Sequence, residues 1–382
     1  MAPDIICFSH LRWNFVYQRP QHLMTGLSST HRVFFIEEPY YDSIAKSNYH
    51  VYKEPLSNVF VVVPHLPRGL SQEESDQSMR EIIDSFLQSE ALSGFILWYY
   101  SPMMFGFSDH LDSLYTIYDC MDELSAFLFA PPALKENERA LMQRADLVFT
   151  GGHSLYEAKK TMHRNIYCFP SSIDKNHFLT ARQTPADPVD QCNIPSPRIG
   201  FYGVIDERLN ISMLDDLADL RPAWHFILIG PVVKIDPATL PARANIHYLG
   251  AKQYNELPQY LGGWDIAMMP FALNASTQFI SPTKTPEYLA GGKPVISPSI
   301  RDVVTSYGES GLVHIADTPG EFITAAETIF DNHGEPAGWL EFVDGFLANM
   351  SWEITVREME ILIGQGVSGK SVTSRKKNKT YV

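Results

Sequence analysis

Short, almost uninterrupted apolar runs recur through the first half of the chain, at 5–8, 33–36, 59–63, 95–99, 115–118, 147–150 and 166–169. Runs of this length that are apolar on both faces read as strands buried on both sides, as in a parallel sheet. Between several of them the spacing changes to a helical period, around 20–27, 77–88 and 134–144. Strand and helix in alternation predict a doubly wound α/β domain. The pattern stops over 181–197, where four prolines interrupt it, and this stretch reads as a linker. A second alternating set follows, with apolar runs at 198–202, 226–229, 246–249, 266–269, 294–297 and 312–315. The expected division is therefore a first domain over 1–180, the linker, and a second domain over 198–350. Two such halves enclose a cleft, and ligands of these folds bind outside the carboxyl ends of the strands. A last helical segment over 351–363 carries Ile354, Met359, Leu362 and Ile363. The tail over 364–382 is rich in Gly, Ser and Lys and reads as disordered.

The densest local signal lies at 281–297, Ser281-Pro-Thr-Lys-Thr-Pro-Glu-Tyr-Leu-Ala-Gly-Gly-Lys-Pro-Val-Ile-Ser. Pro282 and Pro286 suit the first turn of a helix, where a missing N–H costs nothing. Ser281, Thr283 and Thr285 each suit an N-cap, so the first helical residue stays open. Gly291-Gly292 ends the helix and the next strand begins at Pro294. A helix N-terminus offers free N–H groups and partial positive charge to a phosphate, and Lys284 adds a full charge. Glu287, one turn in, lies on a face that reaches a ribose hydroxyl. An ordinary capped helix of an α/β domain has the same spacing.

The residues of this segment resemble the donor-binding motif of glycosyltransferases with the GT-B fold, in the group 1 (family 4-like) class. The resemblance continues through His10-Leu-Arg-Trp-Asn-Phe-Val-Tyr-Gln-Arg-Pro-Gln-His-Leu23, Tyr118-Asp-Cys-Met-Asp-Glu123, Ile199-Gly-Phe-Tyr-Gly-Val-Ile-Asp-Glu-Arg208 and Leu228-Ile-Gly-Pro231. It covers most of 4–363 and is similar to a bacterial polysaccharide-biosynthesis subgroup. It implies two Rossmann-like domains facing across a cleft, with a C-terminal helix crossing back to the first. It also implies a nucleotide-diphosphate sugar as co-substrate, UDP favoured, with no bound cofactor or metal and retention of anomeric configuration. Glu287 then binds the donor ribose and the helix start takes the diphosphate. Many members carry a second Glu eight residues before this one. Here that position is Phe279, which breaks the paired pattern.

Composition changes this picture little. The chain has 382 residues, 45% hydrophobic and 19% charged, with a net charge of −14. Such an acidic balance argues against a general nucleic-acid binder while leaving room for a local phosphate pocket. Cys7, Cys120, Cys168 and Cys192 are scattered, lack metal-ligand spacing, and read as reduced cytosolic thiols. No signal peptide and no apolar run long enough to span a bilayer is visible. The expected location is cytoplasmic. Arg375, Lys376, Lys377 and Lys379 read as a solvated tail whose charge also suits an anionic membrane surface.

Candidate chemistry completes the sequence reading. In the loop after the first strand, His10, Arg12, Trp13 and Arg19 are acceptor-site candidates: Trp13 offers a flat face, and the arginines suit a phosphate. Their plainer roles are packing and helix support. Asp119 and Asp122, with Glu123 beside them, end another strand and are the candidates for general base or for orienting a sugar hydroxyl. N-capping explains Asp122 equally well. In the second half, Gly203 permits close backbone approach to a ligand, and Arg208 suits a diphosphate or an ion pair with Asp206 or Glu207. Gly230 and Tyr248 end the next strands, where backbone groups meet a nucleobase. The donor set is then Gly203, Arg208, Gly230, Tyr248, Ser281, Thr283, Lys284 and Glu287, and the acceptor is a glycan or a lipid-linked sugar. Two other functions fit the pattern: a catalytically idle nucleotide-sugar binding module, and a UDP-sugar 2-epimerase on the same fold.

Overall fold

The computed structural model describes residues 2–183, 186–332 and 334–378, without the side chains from 371 onward. Nine strands form the first sheet: β1 (Ile5–Phe8), β2 (Val33–Ile36), β3 (Tyr40–Asp42), β4 (Asn48–Lys53), β5 (Val59–Pro67), β6 (Ile96–Tyr99), β7 (Tyr115–Cys120), β8 (Leu147–Thr150) and β9 (Ile166–Cys168). Their order is β3-β5-β2-β1-β6-β7-β8-β9, with β4 antiparallel to β5 and the other pairs parallel. β1 sits centrally, with Ile5 in register with Val33 on one side and Ile96 on the other. Alternate residues feed two cores: Ile6 and Phe8 join one, Ile5 and Cys7 the other. This two-sided burial is why these strands read as solid apolar runs. β3 and β4 were not expected, because exposed polar and aromatic residues fill both. They form by edge pairing on β5, without any apolar run of their own.

The second sheet holds β10 (Arg198–Tyr202), β11 (His225–Ile229), β12 (Ile246–Gly250), β13 (Ile266–Met268), β14 (Val295–Ser297) and β15 (His314–Ile315), in the order β12-β11-β10-β13-β14-β15, all parallel. The proline-rich stretch expected as a linker is largely built into this half. Phe178, Ala181 and Ile194 enter the second core, and Gln191 is buried with its amide on the Asp187 carboxylate and the Tyr260 carbonyl.

A helix from Trp352 to Asn378 returns to the first domain. Trp352, Val356, Met359 and Ile363 complete the core that holds Ile5 and Cys7. Val356 packs directly on Gly26 of the helix Arg19–Leu27; a β-carbon at Gly26 would lie 2.6 Å from it. Trp352 stacks on His22 with ring centroids 4.7 Å apart. The disorder expected from Gly364 is not what the backbone adopts through Asn378, because Gly366 lies against Tyr115 and Lys370 pairs with Asp146, drawing the helix along the domain. The side chains of Arg375, Lys376 and Lys377, and all of Lys379, lie outside the described residues. No described helix is long and apolar enough to cross a membrane.

Candidate functional site

The carboxyl ends of β1, β10 and β11 open on a cavity of about 500 Å³ between the domains. Its second-domain wall is built on close backbone packing. Gly203 and Gly230 follow β10 and β11, both at φ +147. A β-carbon at Gly230 would overlap the Gly203 carbonyl, and one at Gly203 would overlap the Lys284 side chain. Only glycine lets these turns nest and admits Lys284 between them.

Lys284 opens the helix Lys284–Ala290. Thr283 holds the cap position without a side-chain cap bond, so the first-turn amides are left to other partners. The Lys284 ammonium makes no hydrogen bond or ion pair among the described residues, and lies 5.8 Å and 5.9 Å from the Phe201 and Phe271 ring centres. Burial lowers its pKa, Arg208 adds to that, and Glu287, Asp206 and Asp122 oppose it. Glu287, three residues on, is buried and accepts a hydrogen bond from the Tyr202 hydroxyl at 2.8 Å. Burial raises its carboxyl against the pull of Tyr202 and Lys284. A desolvated cation and carboxylate at one helix start, both facing a cavity, suit a ligand carrying phosphate and hydroxyl groups.

Arg208 lines the same cavity. Its Nε and Nη2 hold the buried Asp206 carboxylate at 2.7–3.1 Å, so it is an ion-pair partner whose Nη1 makes no hydrogen bond among the described residues. Phe127 of the first domain lies 5.4 Å from its guanidinium and 5.1 Å from the Lys234 ammonium. The Leu128 amide donates to Glu207 at 3.1 Å, tying the loop after β7 across the cleft.

Asp122 lies in that loop, outside the residues that line the cavity but within electrostatic reach of Arg208 and Lys284. Burial pushes its carboxyl up to about 6, against Arg208, Arg19 and Lys284. Asp119 behaves differently. It is fully buried, and Arg19 grips it through Nε at 3.2 Å and Nη2 at 2.9 Å while Arg19 Nη1 donates to the Phe169 carbonyl. Asp119 and Arg19 therefore satisfy each other, and neither is among the residues that line the cavity. Glu123 is held by Lys159 at 2.8 Å, in a buried network with Glu138 and Tyr118.

Other sequence candidates are also displaced. Arg12 donates to the carbonyls of Glu38 and Pro39 and lies 3.5 Å over the Tyr40 ring, which holds it on the sheet edge. Trp13 reaches the cavity wall yet is 6% exposed, packed edge-on to Phe35, so it has no open face for a sugar. His10 lies outside the lining; burial beside Lys234 lowers its pKa to about 4, and its Nδ1 is buried without a partner among the described residues. Tyr248 donates to the Pro241 carbonyl, away from the cavity. Ser281 contributes its carbonyl to Ser171 at 2.6 Å. Phe279 packs against the first domain's core, so an apolar contact across the domains stands where the family's second Glu was expected.

Several lining residues are not among the sequence candidates: Tyr17, Glu54, Tyr202, Gln253 and Tyr254. The sequence signal for Tyr202 was present in its place at the end of β10. The others come from loops whose meeting is a tertiary event. Among the described residues no group of three or more His, Cys, Asp and Glu side chains is placed to hold a metal ion.

Comparison with known proteins agrees with this geometry. Residues 196–332, which hold Gly203, Arg208, Lys284 and Glu287, match the family model described as glycosyl transferases group 1. This segment belongs to the group 1 glycosyltransferases. The chain is 27% identical over 286 residues to the putative teichuronic acid biosynthesis glycosyltransferase TuaH of Bacillus subtilis (strain 168), covering 69% of this chain and 70% of that protein. Among solved structures it is similar to the E. coli trehalose-6-phosphate protein bound with UDP-2-fluoro glucose, with a TM-score of 0.67 at 9% identity over 95% of this chain and 99% of that one. It is also similar to HepE of Anabaena in complex with UDP and glucose, with a TM-score of 0.65 at 12% identity over 95% and 100%. The fold of this glycosyltransferase is GT-B, with two doubly wound domains and a returning terminal helix.

Proposed function

We propose that this glycosyltransferase moves a sugar from a nucleotide-diphosphate sugar, UDP-linked in the first instance, to a glycan or lipid-linked acceptor of cell-surface or exopolysaccharide synthesis. The observation that carries the donor reading is the pairing of Lys284 and Glu287 at one helix start, facing a cavity of about 500 Å³. In this reading Glu287 accepts from the ribose. The amides at Thr283 and Lys284, the Lys284 ammonium and the Arg208 Nη1 face the diphosphate, with Gly203 and Gly230 admitting it closely. The UDP held by HepE supports uridine. TuaH supports the acceptor class, its printed role being teichuronic acid biosynthesis. The work is assigned to the cytoplasmic side, where the basic tail can meet an anionic membrane face.

Transfer breaks the anomeric C–O bond to the β-phosphate and forms one to an acceptor hydroxyl oxygen. Charge grows on the leaving diphosphate, and preorganised donors there lower the barrier. With retention by a front-face route, the departing phosphate oxygen takes the acceptor proton, and Asp122 orients that hydroxyl. Arg19 and Asp119 hold the β7 end and the loop start in place and touch no substrate.

Titration calorimetry with UDP, GDP, dTDP and CMP, with and without Mg²⁺, tests the donor site. Micromolar binding of one diphosphate is expected, and Glu287→Ala should weaken it by about 1.5–3 kcal/mol, as for a lost hydrogen bond to a charged group. Unchanged affinity in the folded variant removes Glu287 from the site. The anomeric coupling constant of the product, read by NMR, decides retention.

A further inference from the structure

Tyr254 begins the short turn Tyr254–Glu256 after β12 and lines the cavity together with Tyr202 and Glu287. Its ring lies between two others. His177 stacks on it at 4.5 Å and 15°, and Tyr17 of the first domain lies at 4.7 Å and 30°. His177 is itself fixed, with Nε2 3.0 Å from the Tyr254 carbonyl oxygen. With rings on both sides, the Tyr254 ring has no free face for a base.

That tip is an anomaly. The Tyr254 hydroxyl is sealed from water and has no hydrogen-bond partner among the described residues. A buried unpaired hydroxyl costs stability, and folded proteins rarely leave one without a reason. Tyr202 makes the contrast: its hydroxyl is satisfied by Glu287 Oε2, while Glu287 Oε1 makes no hydrogen bond among the described residues. Burial and the nearby Glu287 and Asp174 carboxylates raise the Tyr254 phenol, so it stays a proton donor. One wall of the cavity therefore presents a free acceptor, Glu287 Oε1, and holds beneath its surface an orphaned donor, the Tyr254 hydroxyl, which a ligand reaches by displacing what seals it. A vicinal diol matches that pair, because each hydroxyl both donates and accepts.

We propose that Tyr254 is a second nucleoside contact, its hydroxyl donating to one ribose hydroxyl oxygen while Glu287 accepts from the diol. This rests on the nucleotide-sugar reading of the cavity and adds to it a specificity-determining residue for ribonucleotides. Tyr17 presses on the ring from the first domain, so both domains place the contact.

The test is Tyr254→Phe in the full chain, titrated with UDP, 2′-deoxy-UDP, 3′-deoxy-UDP and inorganic pyrophosphate. UDP affinity should fall about tenfold, pyrophosphate affinity should hold, and one deoxy analogue should bind both proteins equally. The free variant should melt no lower than the parent, because it loses an unsatisfied hydroxyl, while its stabilisation by UDP shrinks. Unchanged UDP affinity overturns the proposal, and so does an equal loss for UDP and both deoxy analogues. Glu287→Ala separates the two readings. If that variant loses UDP affinity and Tyr254→Phe does not, only the Tyr254 assignment fails; if neither does, the nucleotide reading itself fails.

Discussion

At the scale of single residues, similar side chains a few positions apart are sorted by what surrounds them. Asp119, Asp122 and Glu123 share one strand end, yet Asp119 is neutralised by Arg19 and Glu123 by Lys159. Of the three, Asp122 alone has no ion pair among the described residues, and burial raises it to about 6. If the ionised form orients the acceptor, kcat/KM should fall as pH drops below about 6. Asp122→Asn should remove that acid limb and lower kcat roughly 10²-fold while leaving UDP affinity intact. An acid whose folded pKa is raised binds protons more tightly folded than unfolded. Stability is then lost as pH rises from the ordinary value of 3.8 through about 6, and the full cost applies at neutral pH. Asp122→Asn should accordingly melt no lower than the parent at pH 7. A variant that melts lower and keeps its acid limb would return Asp122 to a capping role.

At the scale of elements, the two turns after β10 and β11 decide whether the cavity exists. Gly230→Ala places a methyl in the Gly203 carbonyl, where backbone offers no room to yield. The expected cost is roughly 2–4 kcal/mol, with loss of UDP binding in whatever remains folded. Gly250 makes the control: it ends β12 at φ +71 with nothing within 4 Å of an added β-carbon. Gly250→Ala should cost only the left-handed backbone strain, about 1–2 kcal/mol. Equal denaturation midpoints for the two variants would show that close packing at Gly230 is unimportant. Much of this level was legible in advance. The strands buried on both faces announce themselves by composition, as does the short helix that carries Glu287, where prolines, three possible caps and a cation coincide, although its first residue, Lys284, was left open. β3 and β4 were not legible, since pairing with β5 holds them.

At the scale of the molecule, the domains touch through specific polar groups as well as through Phe279. Asp302, from the second domain, accepts from the Ser154 amide at 2.9 Å and from the Ser154 hydroxyl, capping the helix His153–Lys159 of the first domain. Gly152 leaves the room, since a β-carbon there would overlap the Asp302 carboxylate. Closure of such a cleft excludes water from the donor. Asp302→Ala should loosen it, raising the ratio of donor hydrolysis to transfer and the acceptor KM, with a cap loss of about 1 kcal/mol in stability. An unchanged ratio would leave Asp302 a stabilising cap with no part in closure.

The sequence by itself determined the two doubly wound halves, the glycine turns and the short helix near Lys284 and Glu287, though not its first residue. Each is a local matter of periodicity, backbone freedom or capping, and is written in contiguous residues. Only the tertiary structure decided which charges remain free. Arg19 finds Asp119 one hundred positions away, Arg12 is drawn to the sheet edge, and Tyr254 meets Tyr17 across the cleft. Ion pairing and burial depend on distance in space, and a candidate list read along the chain carries no information about it.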